Sequence, residues 1–394
     1  MNEKLHVQSG KNKCNSGLFL PLVIIGYLRA MVYKVIGLMS GSSLDGLDIC
    51  YTYLEETRGE WKFDIQQAAC IPYSEEWVAN LSRADQMDAG DFLKLHTAYG
   101  RYTGELVNKF IAEHDLHHKV DFIASHGHTA YHDPANRTSF QLGDGATIAA
   151  VTALPVISDL RSLDVALGGQ GAPIVPIGDK LLFGDFDYWL NIGGIVNITV
   201  RHEGKMMAFD VCTGNQALNA LARAEGMEYD ENGALAQQGK LLLAVLGQLN
   251  DQKYFDRQPP KSLSNDAAQE LVFPKLMQSS HLNQDLLRTV VQHIAEQVAK
   301  VVRQFPHEKE QAKMLVTGGG AFNNFLIEVL QEQLTPLQVN AIVPYEQVVK
   351  FKEALVMALI GTLRWREETN VMSSVTGAEK DSISGALWMG HSYS

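Results

Sequence analysis

Four cysteines, Cys14, Cys50, Cys70 and Cys212, are spread over 394 residues, and no two stand in C-x-x-C spacing. That excludes a zinc or disulfide framework and points to a reducing compartment, the cytoplasm. Positive charge is also scarce: 33 Lys and Arg face 45 Asp and Glu, a net charge of −12. Nucleic acid as a partner is excluded, because it needs clustered cations. A bilayer-spanning run is missing too. The run "GLFLPLVIIGYL" (17–28) has twelve residues, where a spanning helix needs about 20. It has the length of a signal-peptide core, but Arg29 stands where small cleavage-site residues belong. Residues 1–30 are therefore expected to be a disordered extension outside the fold; an ordered N-terminal appendage is the alternative. Two nucleotide signatures are absent as well: no G-x-x-x-x-G-K-[ST], and no G-x-G-x-x-G leading into a helix.

What is present is ordinary globular composition, 46% apolar and 20% charged, in a chain long enough for roughly two domains. Apolar β-rich runs ending in Gly, Asn or Asp predict strands at 32–38, 47–54, 61–70, 121–125, 139–142 and 155–158. A second set falls at 187–191, 195–201, 206–211, 313–317 and 340–343. Helical periodicity predicts helices at 91–114, 284–305, 321–334 and 352–366. The order strand, strand, strand, helix occurs at 32–114 and again at 187–224, each copy opening with two strands joined by a glycine turn. The pattern fits an α/β protein of two related domains, duplicated mixed sheets flanked by helices, facing each other across a cleft. The expected division is 31–158 and 159–376, with the C-terminal segment 377–394 returning to the first domain.

Three glycine turns stand out: "SGSSLDG" (40–46), "NIGGIVN" (191–197) and "TGGGAFNN" (317–324). Glycine carries no side chain and accepts positive φ, so successive backbone N–H groups can converge on an anion. The third turn also leads into a helix N-terminus, which attracts phosphate. Any one of them alone reads as a tight turn; three in this order point to phosphate binding.

Charged residues gather around these turns. "VISDLRSLDVALGGQGAPIVP" (156–176) ends a strand and then loses regular periodicity, as a binding loop does. Arg161 there either pairs with Asp159 or Asp164 or meets a ligand. In "AFDVCTGNQALN" (208–219), Asp210 sits near the end of a strand just before a helix. It reads as a turn or capping aspartate, or as a cleft carboxylate able to act as a general base. His126, His128 and His132 in "SHGHTAYHDP" read as cleft lining rather than a zinc site, since no third ligand has matching spacing. Glu353, beside Lys352, is either a first-turn helix charge or a cleft residue.

Taken in order, "GLMSGSSLDGLD", "SHGHT", "SDLRSLDVALGGQGAPIVP", "LNIGGIVNIT", "FDVCTGN", "LVTGGGAFN" and "SVTGA" resemble the anhydro-N-acetylmuramic acid kinase family from about residue 32 to the C-terminus. The resemblance implies the sugar-kinase, heat-shock-chaperone and actin superfamily, with two actin-like domains and ATP between them. It implies ATP and Mg²⁺, and hydrolytic opening of 1,6-anhydro-N-acetylmuramic acid with phosphorylation of O6, in cell-wall recycling. It carries the catalytic aspartate over to Asp210. The ATP-binding segment maps onto Gly41, Ser42, Ser43, Leu44, Asp45, Gly46, Leu47 and Asp48. The other glycine turns, through Gly193, Gly194, Gly318, Gly319 and Gly320, become a second phosphate loop and an adenosine loop. His126, Arg161, Asp164 and Glu353 become sugar-binding residues, and a homodimer is an expected state. A non-catalytic, chaperone-like ATP-binding protein and a phosphoanhydride phosphatase are the competing readings on the same fold. Departures from the family pattern are Ser42 for Thr, His128 for Gln, and Val211–Cys212–Thr213 for C-G-P. Met39 stands where many sugar kinases carry Asp, so the metal carboxylate is expected at Asp45 or Asp48.

Overall fold

The computed structural model describes residues 31–390, apart from Ser42, Gln278 and Ser279. The expected disordered extension, residues 1–30, lies outside the described residues, as do Ser42 and residues 391–394. Among the described residues twelve strands form two sheets. The first contains β1 (Met31–Ser40), β2 (Gly46–Thr57), β3 (Glu60–Pro72), β4 (Phe122–Asp133), β5 (Thr138–Leu142), β6 (Val156–Ser158) and β12 (Ala386–Trp388). The second contains β7 (Tyr188–Ile192), β8 (Ile195–His202), β9 (Lys205–Thr213), β10 (Ala312–Thr317) and β11 (Val339–Ile342).

The two sheets repeat one plan. The first runs β3-β2-β1-β4-β6 with β12 beyond β6 and β5 on β4; the second runs β9-β8-β7-β10-β11. In each, the first three strands are antiparallel neighbours and the last two are parallel additions. The duplicated two-domain fold that the resemblance implied is therefore present.

Strand alternation sends side chains to opposite faces, and both sheets turn one face toward the helix Glu346–Trp365. From the first sheet Val35, Cys50, Phe122, Ala124 and Ile157 meet it; from the second, Trp189 and Leu315 do. The opposite faces carry Ile36, Leu38, Ile49 and Tyr51 toward the helix Ala89–Glu113, and Leu190, Ile192, Met314 and Val316 toward the helices Asn283–Gln304 and Asn324–Leu334. The central helix is buried nearly all round, as a helix between two layers must be. Its approach to β1 is close. A Cβ added at Gly37 would lie 1.9 Å from the Ala354 carbonyl oxygen, so only glycine fits there.

Three local expectations are corrected. The central helix begins at Glu346 rather than 352, so Lys352 and Glu353 lie in its second turn, and Glu346 takes the first-turn position. Its start was hidden because Tyr345 gives no side-chain cap and Val348 and Val349 are weak helix formers. The helix expected at 321–334 begins at Asn324, where the Asn323 side chain accepts the Leu326 N–H at 2.9 Å. The helix expected at 91–114 spans Ala89–Glu113, and Leu93 near its start is exposed.

Gly37→Ala should lower stability to chemical denaturation by about 1–3 kcal/mol or more, the range for overpacking a tight contact. Gly247→Ala, in open space on the helix Leu243–Asn250, should be neutral or stabilising. Equal effects of the two would contradict this packing.

Candidate active site

Between the two sheets lies a cavity of about 1080 Å³. Met39 and Asp48 reach it from the first sheet; Asn191, Asn197, Thr199 and Asp210 from the second; Lys352, Glu353 and Met357 from the central helix. It also takes residues from the 170–176 loop and the 259–264 loop.

Asp210 is placed by a strand irregularity. β8 and β9 pair Val196 with Cys212 but Asn197 with Asp210, leaving Val211 as the extra residue of a bulge. Asp210 and Asn197 thus stand opposite each other, both lining the cavity. Val211 and Cys212 pack into the core instead, and the buried Thr213 hydroxyl donates to the Ala268 carbonyl at 2.5 Å. The departures at Val211–Thr213 therefore face away from the cavity. The Asp210 Oδ2 accepts the Leu263 N–H at 2.8 Å. Burial raises the Asp210 pKa, and that amide partly opposes the rise. A fixed carboxylate with a raised pKa suits a general base. Asp210 caps no helix.

Arg161 does not pair with Asp159 or Asp164. Its Nε donates to His126 Nε2 at 2.7 Å and its Nη1 to the Gly171 carbonyl at 2.7 Å. Since arginine only donates, His126 Nε2 must accept, and its Nδ1–H donates to the Gly127 carbonyl at 2.8 Å. Burial and the adjacent guanidinium push the His126 pKa down to about 3, so the ring is neutral. Arg161 lines the cavity; His126 stands behind it as a strut. Asp164 also stands behind the lining. It is fully buried, and its oxygens accept the Gly171 N–H at 2.8 Å and the Thr376 hydroxyl at 2.6 Å. That carboxylate pins the loop carrying Gln170, Ala172 and Pro173 to the cavity wall. His128, likewise buried, meets the Ser40 hydroxyl through Nδ1 at 3.0 Å and does not line the cavity. His132 does line it.

The glycine turns cluster in two groups. Gly318, at φ +81, lines the cavity, and a Cβ on it would lie 2.5 Å from Asn191 Oδ1. Gly320 packs as tightly on Ile192, so the third turn rests on the end of β7 beside the second. Gly193 and Gly194 use their carbonyls to accept the amides of Asn215 and Gly214, both at 2.9 Å. Gly319 and those two glycines do not line the cavity. In the first turn, Ser43 Oγ donates to Asp45 Oδ1 at 2.7 Å, and the Leu44 N–H reaches the Gly41 carbonyl at 3.4 Å. Gly46 is pressed against the backbone of Ile71, and Leu47 is a core residue. Asp48 lines the cavity. Burial lifts its pKa to about 6; the Cys70 thiol lowers it, and the charges of Asp45 and Glu353 raise it further. Glu353 is likewise raised by burial, against the pull of Lys352 and Arg161.

Sequence reasoning missed a buried ion pair on the cavity wall. Lys352 Nζ lies 2.6 Å from Asp179 Oδ1, and the Thr199 hydroxyl donates to Asp179 Oδ2 at 3.1 Å. The 259–264 loop was missed as well. Asp179, in "PIGDKLL", carried no motif signal, and only the fold brings it to Lys352.

Two matched sheets, glycine turns at their edges and a fixed aspartate in the cavity between them define a two-lobed kinase of the sugar-kinase type. A family model described as anhydro-N-acetylmuramic acid kinase matches residues 33–390. A protein of that name from Sulfurimonas denitrificans is 31% identical, over 90% of this chain and 98% of its own. Another, from Francisella tularensis subsp. novicida, is 30% identical over 89% and 97%; a third, from Paramagnetospirillum magneticum, is 34% identical over 76% and 84%. The chain belongs to the anhydro-N-acetylmuramic acid kinase family. No helix among the described residues is long and apolar enough to cross a membrane.

Asp48 yields a pH prediction. Its folded pKa, about 6, is above its ordinary 3.8. Its contribution to stability is present below the ordinary value and lost as pH rises through 6. The melting temperature of Asp48→Asn minus that of wild type, without ligands, should therefore grow from pH 4 to pH 7. A difference independent of pH would contradict the assignment.

Proposed function

We propose that this chain uses water to open the 1,6-anhydro ring of 1,6-anhydro-N-acetylmuramic acid and passes the γ-phosphoryl group of ATP to the released O6. The products are N-acetylmuramic acid 6-phosphate and ADP, within peptidoglycan recycling. The observation that carries this reading is Asp210, a cavity carboxylate fixed by the Leu263 amide with its pKa raised. It takes a proton from water as the water oxygen bonds to the anomeric carbon. The C1–O6 bond breaks, and O6 becomes the acceptor for phosphorus. Family membership favours this kinase over the chaperone-like and phosphatase readings.

Asn197, opposite Asp210, and Arg161, aimed by His126, orient the sugar. The first and second glycine turns offer backbone amides to the phosphates, and the third serves the adenosine. The residues present suit Mg²⁺. The Asp45 charge adds to the cost of ionising Asp48, which burial already raises; a dication relieves that cost. Among the described residues no three His, Cys, Asp or Glu side chains converge, so the ion would rest on one or both of these carboxylates and on nucleotide oxygens. When bound, Mg²⁺ supplies neutralisation of phosphate charge.

We divide the chain into 31–158 and 159–376 on either side of this cavity. The pairing of β12 with β6 supports return of the C-terminal segment to the first unit. The free thiols of Cys50, Cys70 and Cys212 suit work in the cytoplasm. We carry the homodimer forward as a proposal; light scattering at micromolar concentration tests it.

Asp210→Asn keeps the shape and removes the proton acceptor. ATP affinity by calorimetry should stay within a few-fold, while sugar-dependent ADP release falls by roughly two decades or more. Turnover within a few-fold of wild type would overturn the role of Asp210.

A further inference from the structure

Four Lys and Arg side chains line the cavity; two are paired with carboxylates, and a third, Arg161, is the one aimed at the sugar by its own hydrogen bonds. Lys352 is paired with Asp179 at 2.6 Å. Lys350 is paired with Glu346 at 2.5 Å. Arg161 has its Nε and Nη1 bonded and feels the charge of Glu353. The fourth, Lys261, has no carboxylate within ion-pair distance among the described residues. Asp256, which does act on it electrostatically, is taken by Lys300 at 2.8 Å. The Lys261 Nζ lies 4.8 Å from the centre of the Tyr254 ring and 5.8 Å from that of Phe209, and reaches only the Tyr254 carbonyl, at 3.4 Å. Burial lowers its pKa. The two rings attract the half-buried ammonium but leave its charge without a counter-ion, and an anionic guest supplies one.

Lys261 is tied to the general base. The Asp210 N–H donates to the Lys261 carbonyl at 3.2 Å, the Tyr254 hydroxyl to the Asp210 carbonyl at 2.8 Å, and the Leu263 N–H to the Asp210 carboxylate. One loop, 259–264, therefore both fixes the base and presents the free cation beside it. On the function proposed above, the molecule beside Asp210 is the sugar, and its one ionised group is the lactyl carboxylate.

We propose that Lys261 is a specificity-determining residue that binds the lactyl carboxylate of the sugar and so selects the muramic acid over neutral anhydro-sugars. This rests on the function proposed above and adds to it the recognition of one substrate group. The stem stacks on Tyr254 while the ammonium meets the carboxylate.

The test compares 1,6-anhydro-N-acetylmuramic acid with its lactyl amide, a neutral isostere, on wild type, Lys261→Met, Lys261→Gln and Lys261→Arg. Wild type should prefer the acid by roughly ten- to hundredfold in kcat/KM, the range for a hydrogen bond to a charged group. The preference should lie in KM. Lys261→Met and Lys261→Gln should abolish it with kcat within a few-fold and leave kcat/KM for the amide unchanged; Lys261→Arg should keep most of it. Glutamine retains a polar end, covering the case in which methionine disturbs the loop. An acid preference that survives both neutral variants would overturn the proposal. So would an equal loss on both sugars, which marks a purely structural lysine. A wild type that turns over neither sugar would instead overturn the kinase reading itself, and this proposal with it.

Discussion

The contact between the central helix and β1 at Gly37 is the constraint on which the site depends. A helix backbone touches a strand backbone there, with no room for even one methyl group. On the next turns Ala358 meets the same strand and Gly361 meets Ala124 of β4. This run of small residues lets the helix lie deep against the first sheet while its other side receives Trp189 and Leu315 of the second. The helix thereby carries Lys352 and Glu353 into the cavity at a fixed depth. Lys352 is then held by Asp179, a buried pair whose charges would be expensive if either were removed alone.

The second sheet places Asp210 by a different device. A regular β9 would alternate through Asp210, Val211 and Cys212, sending one of the latter two into the cavity. The bulge at Val211 instead puts both into the core and leaves Asp210 opposite Asn197. The 259–264 loop then donates an amide to the carboxylate. That amide favours ionisation while burial opposes it, and the balance lies on the raised side. Residues 211–213, where the sequence departs from the family pattern, point away from the cavity. His128 is set apart in the same way, through its bond to Ser40.

Much of this was legible in the sequence, for a physical reason. Strands β1, β2, β7, β8 and β9 alternate or run apolar between glycine turns, and such local signals survive into the fold. Asp210 and Arg161 were recognisable because they sit beside irregular or glycine-rich segments; Glu353 stood out only as a charge near the expected start of a helix. The rest depends on long-range contact. His126 and Asp164 carry the chemistry of ligands, yet the fold uses them to aim Arg161 and to pin a loop. The Asp179–Lys352 pair spans more of the chain than any local pattern can report, and the 259–264 loop has no periodicity. The start of the central helix was hidden by its missing cap.

The central claim is that Asp210 activates a water that attacks carbon while phosphorus goes to the oxygen released. Turnover in ¹⁸O-water, followed by mass spectrometry before anomeric exchange, tests it most directly. The account predicts one heavy oxygen on the anomeric carbon of N-acetylmuramic acid 6-phosphate and none on its phosphate. An unlabelled anomeric oxygen, or label in the phosphate, would contradict it.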